Sequence, residues 1–243
     1  KQKTAYEIAS CLVGSEMCIR DRYLIHQLNY SNRYFEVFRG KKNMSLIMNS
    51  SFTLPCGQVV KNRICKAAMT ERIAKGNNLA HQGHINLYRK WAEGNIGILL
   101  TGNVMVDRKN MEGPANVVID AQNYKDHIDE LKNWSSVGTQ NNTQLWMQIS
   151  HAGRQTPGEI NSSPSAPSDV QLKIPGRSYG IPKPMSEEEI LNVIDRFVFT
   201  AKIARETGFT GVQFHSAHGY LLSEFLSPDI NIKISIKIIK III

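Results

Sequence analysis

Apolar and polar positions follow two alternating rhythms from Leu46 onward. Short apolar runs recur near residues 63–68, within IGILLTGNVMV (96–106), within TQLWMQISHAGR (143–154) and at 209–215. Runs of that length and density suit strands buried on both faces. Between them the spacing changes to three and four. Ile85, Leu87, Tyr88, Trp91 and Ala92 predict a helix over 82–94, with Gly94 placed to stop it. Ile128, Leu131 and Trp134 predict another over 122–138, with Gly138 at its end. A third is announced by Ser186-Glu187-Glu188-Glu189, a capping box, and runs to Thr207 before Gly208. Its expected buried stripe is Ile190, Leu191, Ile194, Val198, Ala201 and Ala204. A hairpin is predicted around Pro55-Cys56-Gly57, and a long loop rich in Pro, Gly and Ser covers 155–185.

The order strand, helix, strand, helix, strand, helix, strand builds a parallel sheet through right-handed crossovers. A doubly wound sheet and a (β/α) barrel both fit. Lys66-Ala67-Ala68-Met69-Thr70 follows the first strand where a dinucleotide-binding fold would carry G-x-G-x-x-G, which disfavours a Rossmann domain.

The formal charge of +8 invites a nucleic-acid reading, but its distribution does not support one. Residues 1–51 carry 8 Lys/Arg and 4 Asp/Glu, residues 52–231 carry 18 and 17, and residues 232–243 carry 3 and 0. The body is nearly neutral, and no basic cluster with interleaved aromatics lies within it. Cys11, Cys18, Cys56 and Cys65 form no C-x-x-C pair and no disulfide framework. No run reaches the ~18 consecutive apolar residues a membrane helix needs, and no signal peptide is recognisable. A cytoplasmic location is expected, with the triplet Asn161-Ser162-Ser163 a chance match to a glycosylation site. Three segments are expected: a leader over 1–45, a structured domain over 46–231 and an Ile/Lys tail over 232–243. SCLVGSEMCIRDR (10–22) resembles translated sequencing adapter, and IKISIKIIKIII resembles read-through of AT-rich non-coding sequence.

Each predicted strand ends in polar side chains: Thr70; Thr101, Gly102 and Asn103; Gln148 and His151; His215 and His218. In a (β/α) barrel this edge is the catalytic face. Each residue also has a plainer reading. Thr70 caps a turn, Gln148 satisfies loop backbone, and His151-Ala152-Gly153-Arg154 is a polar turn. His215 and His218 could be zinc ligands, but a spacing of three at a strand end faces them partly apart, and no Cys or acidic cluster completes a metal site. Tyr220 adds a protonated acid with an ordinary pKa near ~10.

KNRICKAAMT (61–70), LLTGN (99–103), WMQISHAGR (146–154) and GVQFHSAHGYLLSEFLSP (211–228) resemble the old yellow enzyme family of NADH:flavin oxidoreductases. The resemblance covers about residues 52–231. It implies a (β/α)8 TIM barrel, here truncated to about the first four βα units, that carries FMN and takes hydride from NADH or NADPH. It further implies a small-molecule acceptor of the enone type, with neither nucleic acid nor membrane as partner. By the same resemblance Ala67, Ala68, Met69 and Thr70 lie beside the flavin, Gly102 supplies close backbone approach, and Gln148 bonds the pyrimidine side of the ring. His215 and His218 match the pair that grips the acceptor oxygen, and Tyr220 matches the proton donor.

The family pattern stops at Asn231, so strands five to eight and the phosphate site they carry are expected to be missing. The chain is accordingly expected to be an incomplete, weakly active or inactive fragment. Two alternatives stay open: a non-catalytic fragment without flavin, and a metal-dependent barrel hydrolase built on the two histidines.

Overall fold

The computed structural model describes residues 46–232. The leader expected over 1–45, with Cys11 and Cys18, and the tail beyond Ile232 lie outside the described residues. Two short strands, β1 (Phe52–Thr53) and β2 (Val59–Val60), pair antiparallel across the turn at Pro55-Cys56-Gly57, as the turn residues predict. The main sheet then builds in chain order from β3 (Cys65–Lys66), β4 (Ile98–Met105), β6 (Gln144–Ser150) and β9 (Gly211–Phe214), neighbour to neighbour and all parallel.

The intervening helices are α1 (Gln82–Glu93), α2 (Tyr124–Gly138) and α3 (Glu187–Glu206), and a short α4 (Leu221–Leu226) follows β9. Sequential parallel neighbours joined by helices are the repeating unit of a barrel wall, not of a doubly wound sheet with a switch point. Three short strands lie beyond the sequence pattern. β5 (Val117–Val118) pairs with the end of β4. β7 (Ser165–Ala166) and β8 (Lys183–Pro184) pair within the predicted long loop. Two-residue strands carry too few positions to show a period.

Caps set the helix starts. The Ser186 hydroxyl accepts from Glu189 N at 3.2 Å, while the Glu189 carboxylate accepts from Ser186 N at 2.8 Å. This closes the predicted capping box and satisfies two donors the helix leaves open. At α1 the same reciprocal bonding is made by histidines, with His81 Nδ1 accepting from Gly83 N and His84 Nδ1 accepting from His81 N.

The helices press onto one face of the sheet around Trp134, which is fully buried. Its ring lies 5.1 Å from Tyr88, 4.9 Å from His84 and 5.6 Å from Phe209. Leu99, Leu145, Met147 and Ile149 supply the sheet side of this core. Gly138 is required where α2 crosses β6, because a Cβ there would stand 2.6 Å from Leu145 Cδ2. Below the sheet, Val60 of the hairpin packs with Ile98 and Leu100 and plugs the lower end of the wall.

The stripe expected on α3 is corrected. Ile190, Val193, Phe197, Thr200, Ile203 and Ala204 face inward, whereas Leu191 and Val198 are 46% and 45% exposed. The helix carries two overlapping apolar stripes, and periodicity cannot tell which one meets the sheet. Beside them, Phe214 on β9 is also exposed, and among the described residues β9 pairs with β6 alone.

Two histidines are sealed in this core. Burial is the main force holding His84 and His127 down to a pKa of about 4. In the unfolded chain each titrates near ~6.5, so below that pH the unfolded state binds the extra proton. Stability contributed by the neutral rings is complete above about pH 6.5 and drains away as pH falls toward 4. Urea unfolding at pH 7 and pH 5 should show a loss on the order of 3–4 kcal/mol for the pair. A loss unchanged in a His84→Gln, His127→Gln double variant would remove these residues as its cause.

Candidate active site

The site begins with an irregularity in β4. Leu100 pairs with Trp146 and Asn103 pairs with Gln148, so three steps along β4 match two along β6. The extra residue is a β-bulge at Thr101–Gly102, and a bulge re-aims every side chain after it. Before it, Leu99 faces the helices; after it, Val104 and Val106 do. Asn103 and Met105 therefore turn to the opposite, interior face. The Thr101 hydroxyl accepts from Gln148 N at 2.8 Å, taking up backbone bonding that the bulge interrupts.

Gly102 is the residue the bulge requires. A Cβ there would lie 2.6 Å from Thr70 Cα and closer still to Met69 O. The close backbone approach expected of Gly102 is thus made to the chain's own segment 69–71. Its N–H donates to Glu71 Oε1 at 3.1 Å. Glu71 in turn accepts from the buried Tyr88 hydroxyl.

Asn103 points at a carboxylate that the sequence pattern did not single out. Glu112, in the loop between β4 and β5, is buried and accepts from Asn103 Nδ2 and from the Tyr220 hydroxyl, the latter at 2.6 Å. The Thr70 side chain also bonds it, and the Arg72 guanidinium stands 3.7 Å away. Burial alone would raise the Glu112 pKa, but these donors together hold it below the usual carboxylate value. The reverse holds for Tyr220: burial, then the charge and hydrogen bond of Glu112, push its phenol well above the ordinary range. Nothing in KNMEGP marked Glu112, since a carboxylate in a polar loop is usually solvated.

The β9–α4 turn supplies the histidines. His215 bonds through its backbone N to Ile149 O, and its ring lies 4.5 Å from the Tyr220 ring. Contrary to the expectation that the two histidines face partly apart, His215 Nε2 and His218 Nδ1 are 3.1 Å apart. His218 and Gly219 both have positive φ, +58 and +76, and this left-handed pair folds the chain back on itself. Burial, reinforced by His218, lowers the His215 pKa to about 4, so His215 is neutral near pH 7 and keeps one ring N–H. To present two donors to one oxygen, the His215–His218 bond must open.

The other predicted positions lie along the same edge. Thr70 reaches Glu112, while Ala67 and Met69 are exposed and Ala68 is half-buried on the segment leaving β3. Gln148 donates from Nε2 to Gln213 Oε1 at 2.8 Å, which places an amide pair inside the wall between β6 and β9. The buried Asn103 Oδ1 has no hydrogen-bond partner.

A second carboxylate supports the loop after β6. Glu224 of α4 accepts from Arg154 N at 2.9 Å and sits against Gly153, whose φ of +58 and lack of a side chain admit it. Its Oε2 is buried and unpartnered. Here the sequence held a signal, since Glu224 is the one charge in the otherwise apolar helix LLSEFL.

Fold and site together define a parallel (β/α) barrel wall with its polar groups gathered at the C-terminal edge. Residues 56–234 match the NADH:flavin oxidoreductase / NADH oxidase family, and the chain belongs to that family. The family uses FMN, with NADH or NADPH as electron donor. The chain is 36% identical to the NADH-dependent flavin oxidoreductase nadA of Aspergillus parasiticus, covering 71% of this chain and 41% of that protein. It is 32% identical to an NADH oxidase of Thermoanaerobacter brockii, covering 71% of this chain and 26% of the relative.

Among solved structures, TcOYE with pHBA superposes with a TM-score of 0.68 at 23% identity, over 78% of this chain and 56% of that one. The old yellow enzyme homologue from Zymomonas mobilis gives 0.67 at 22%, over 77% and 53%. At these identities the superpositions establish the fold. The chain spans about a fifth to a half the length of the curated relatives it matches.

The edge fits the ring of a flavin. The pyrimidine portion presents alternating N–H and C=O groups, and the unpartnered Asn103 carbonyl and the Gln148 amide offer the matching donors and acceptors. Among the described residues no group of three or more His, Cys, Asp or Glu side chains is arranged to hold a metal ion.

Glu224 supplies a stability test. Burial raises its pKa to about 8 against the partial offset of Arg154. Between its unfolded value near ~4.3 and pH 8 the unfolded chain therefore sheds a proton that the folded chain retains, and stability falls as pH rises. Glu224→Gln keeps an acceptor for Arg154 N and removes the ionisation. It should raise the melting temperature at pH 8, by on the order of 1–3 kcal/mol of stability, and change little at pH 4.5. Equal effects at both pH values would show that Glu224 does not ionise on unfolding.

Proposed function

We propose that residues 46–231 form the N-terminal half of an FMN-dependent oxidoreductase barrel, cytoplasmic, that uses NADH or NADPH to reduce an activated, enone-type alkene. The observation that carries this reading is the convergence of His215, His218, Tyr220 and Glu112 at one end of a parallel sheet. Ala67 to Thr70, Gly102 and Gln148 would hold the flavin ring. When bound, FMN supplies the hydride that adds to the β-carbon of the acceptor.

The protein's own groups manage the charge that follows. Hydride addition to an enone places negative charge on its carbonyl oxygen, and imidazole N–H donors of the buried His215 and of His218 meet that charge. Burial keeps His215 neutral, so it acts as a hydrogen-bond donor without giving up its proton. The α-carbon then takes a proton from the Tyr220 hydroxyl. Substrate binding must first part the two rings, so the acceptor oxygen replaces the His215–His218 bond.

A second reading, a chain that binds no flavin and catalyses nothing, draws on β9, which among the described residues pairs with β6 alone, and on the exposed Phe214. The visible spectrum of the purified chain separates the two, because the chromophore belongs to the cofactor. One flavin per chain, with NADPH oxidised in the presence of an enone, is the expected result; a colourless protein after FMN reconstitution supports the second reading.

In flavin-loaded protein, Tyr220→Phe should slow acceptor reduction by ~10²–10⁴-fold while leaving flavin reduction by NAD(P)H near normal. Equal loss in both half-reactions would take the proton-donor role away from Tyr220.

A further inference from the structure

Glu112 joins parts of the chain that are far apart in sequence. It lies in the β4–β5 loop and binds Thr70 from the segment after β3, Asn103 from β4, and Tyr220 at the start of α4, which is 108 positions away. A buried carboxylate is costly, and the cost is offset only when several donors converge on it. Nothing in the hydride chemistry described above needs an anion at this place. Its one partner that gives up a proton in the proposed reaction is the Tyr220 hydroxyl.

We propose that Glu112 is the positioning residue of this site: its buried carboxylate fixes the Tyr220 phenol against the barrel wall and governs release of the Tyr220 proton. The inference rests on the reading of Tyr220 as proton donor. The geometry gives the physical reason. With the Tyr220 oxygen 2.6 Å from Glu112 Oε2, the hydroxyl proton lies between them. Removing it leaves a phenolate against a carboxylate, two negative charges at hydrogen-bond distance in a partly buried contact.

The groups facing the pair are few. Arg72 contributes a positive charge, but its side chain is 58% exposed and its Nε is 3.7 Å from Glu112 Oε1, so water screens it. His215 packs against the Tyr220 ring and is neutral, His218 lies behind it, and Tyr179 of the 155–185 loop adds a second phenol. Glu112 is therefore the dominant charge on Tyr220. While ionised it disfavours the phenolate and so keeps Tyr220 protonated, the form a proton donor must hold.

The test uses the full chain and needs neither flavin nor turnover. Tyr220 is replaced by 3,5-difluorotyrosine, whose phenol is intrinsically more acidic, so its titration falls where the protein stays folded. The fluorine resonance is followed against pH. With Glu112 present the midpoint should lie well above that of the free amino acid. In Glu112→Gln, which keeps an acceptor of the same shape but no charge, it should fall by ~2 pH units, a hundredfold in acidity.

Loss of a merely structural contact would not shift one phenol in this way. If the Gln variant fails to fold, Glu112→Met, uncharged and of similar volume, repeats the comparison. An unchanged midpoint in a folded variant overturns the proposal, as does a midpoint in the Glu112 protein equal to that of the free amino acid. A shifted midpoint in a chain that reduces no acceptor would instead sink the functional reading and leave the Glu112–Tyr220 coupling standing.

Discussion

The bulge at Thr101–Gly102 is the constraint on which the site depends. Side chains alternate faces along a strand, so one extra residue in β4 exchanges the faces of everything beyond it. Without it, Asn103 and Met105 would follow Leu99 into the helical layer, where an amide has no partner. With it, the apolar Val104 and Val106 keep the core sealed and Asn103 turns inward to Glu112. The cost is an approach so close to segment 69–71 that only a glycine fits at 102. Backbone irregularity, glycine and buried amide form a single device, and the Tyr220–Glu112 contact is built on it.

The titratable groups then sort by how many donors reach them. Glu112 has several and is held in its charged form; Glu224 has one backbone N–H on one oxygen and none on the other, and is pushed toward its neutral form. His84, His127 and His215 are buried with neighbours too few or too weak to offset desolvation, so all three are neutral near pH 7. The same low dielectric thus fixes opposite charge states two or three side chains apart. For an acid–base site this separation is useful, since it leaves a neutral imidazole beside a phenol whose proton a carboxylate controls.

Much of this was legible in one dimension. Apolar runs at 96–106 and 143–154 became β4 and β6, the capping box at Ser186 started α3, and polar residues at four strand ends marked the edge where chemistry gathers. The family motifs carried the fold further than periodicity could. What stayed hidden has identifiable causes. β5, β7 and β8 are too short to show a period. α3 carries two apolar stripes, and only packing selects the one containing Val193 and Phe197 over that of Leu191 and Val198. Strand geometry extended through His218 faces the two histidines apart, whereas positive φ at His218 turns the backbone and brings the rings together.

The sequence by itself determined the class of fold, the order of its strands and the residue types waiting at their ends, because those follow from local periodicity, caps and motif spacing. The tertiary structure alone decided which polar residues meet. Glu112 and Tyr220 are 108 positions apart, and no local pattern relates them. They touch because parallel pairing of β4 with β6, and β6 with β9, brings the following loops to one edge, and because one bulged residue turns Asn103 toward them.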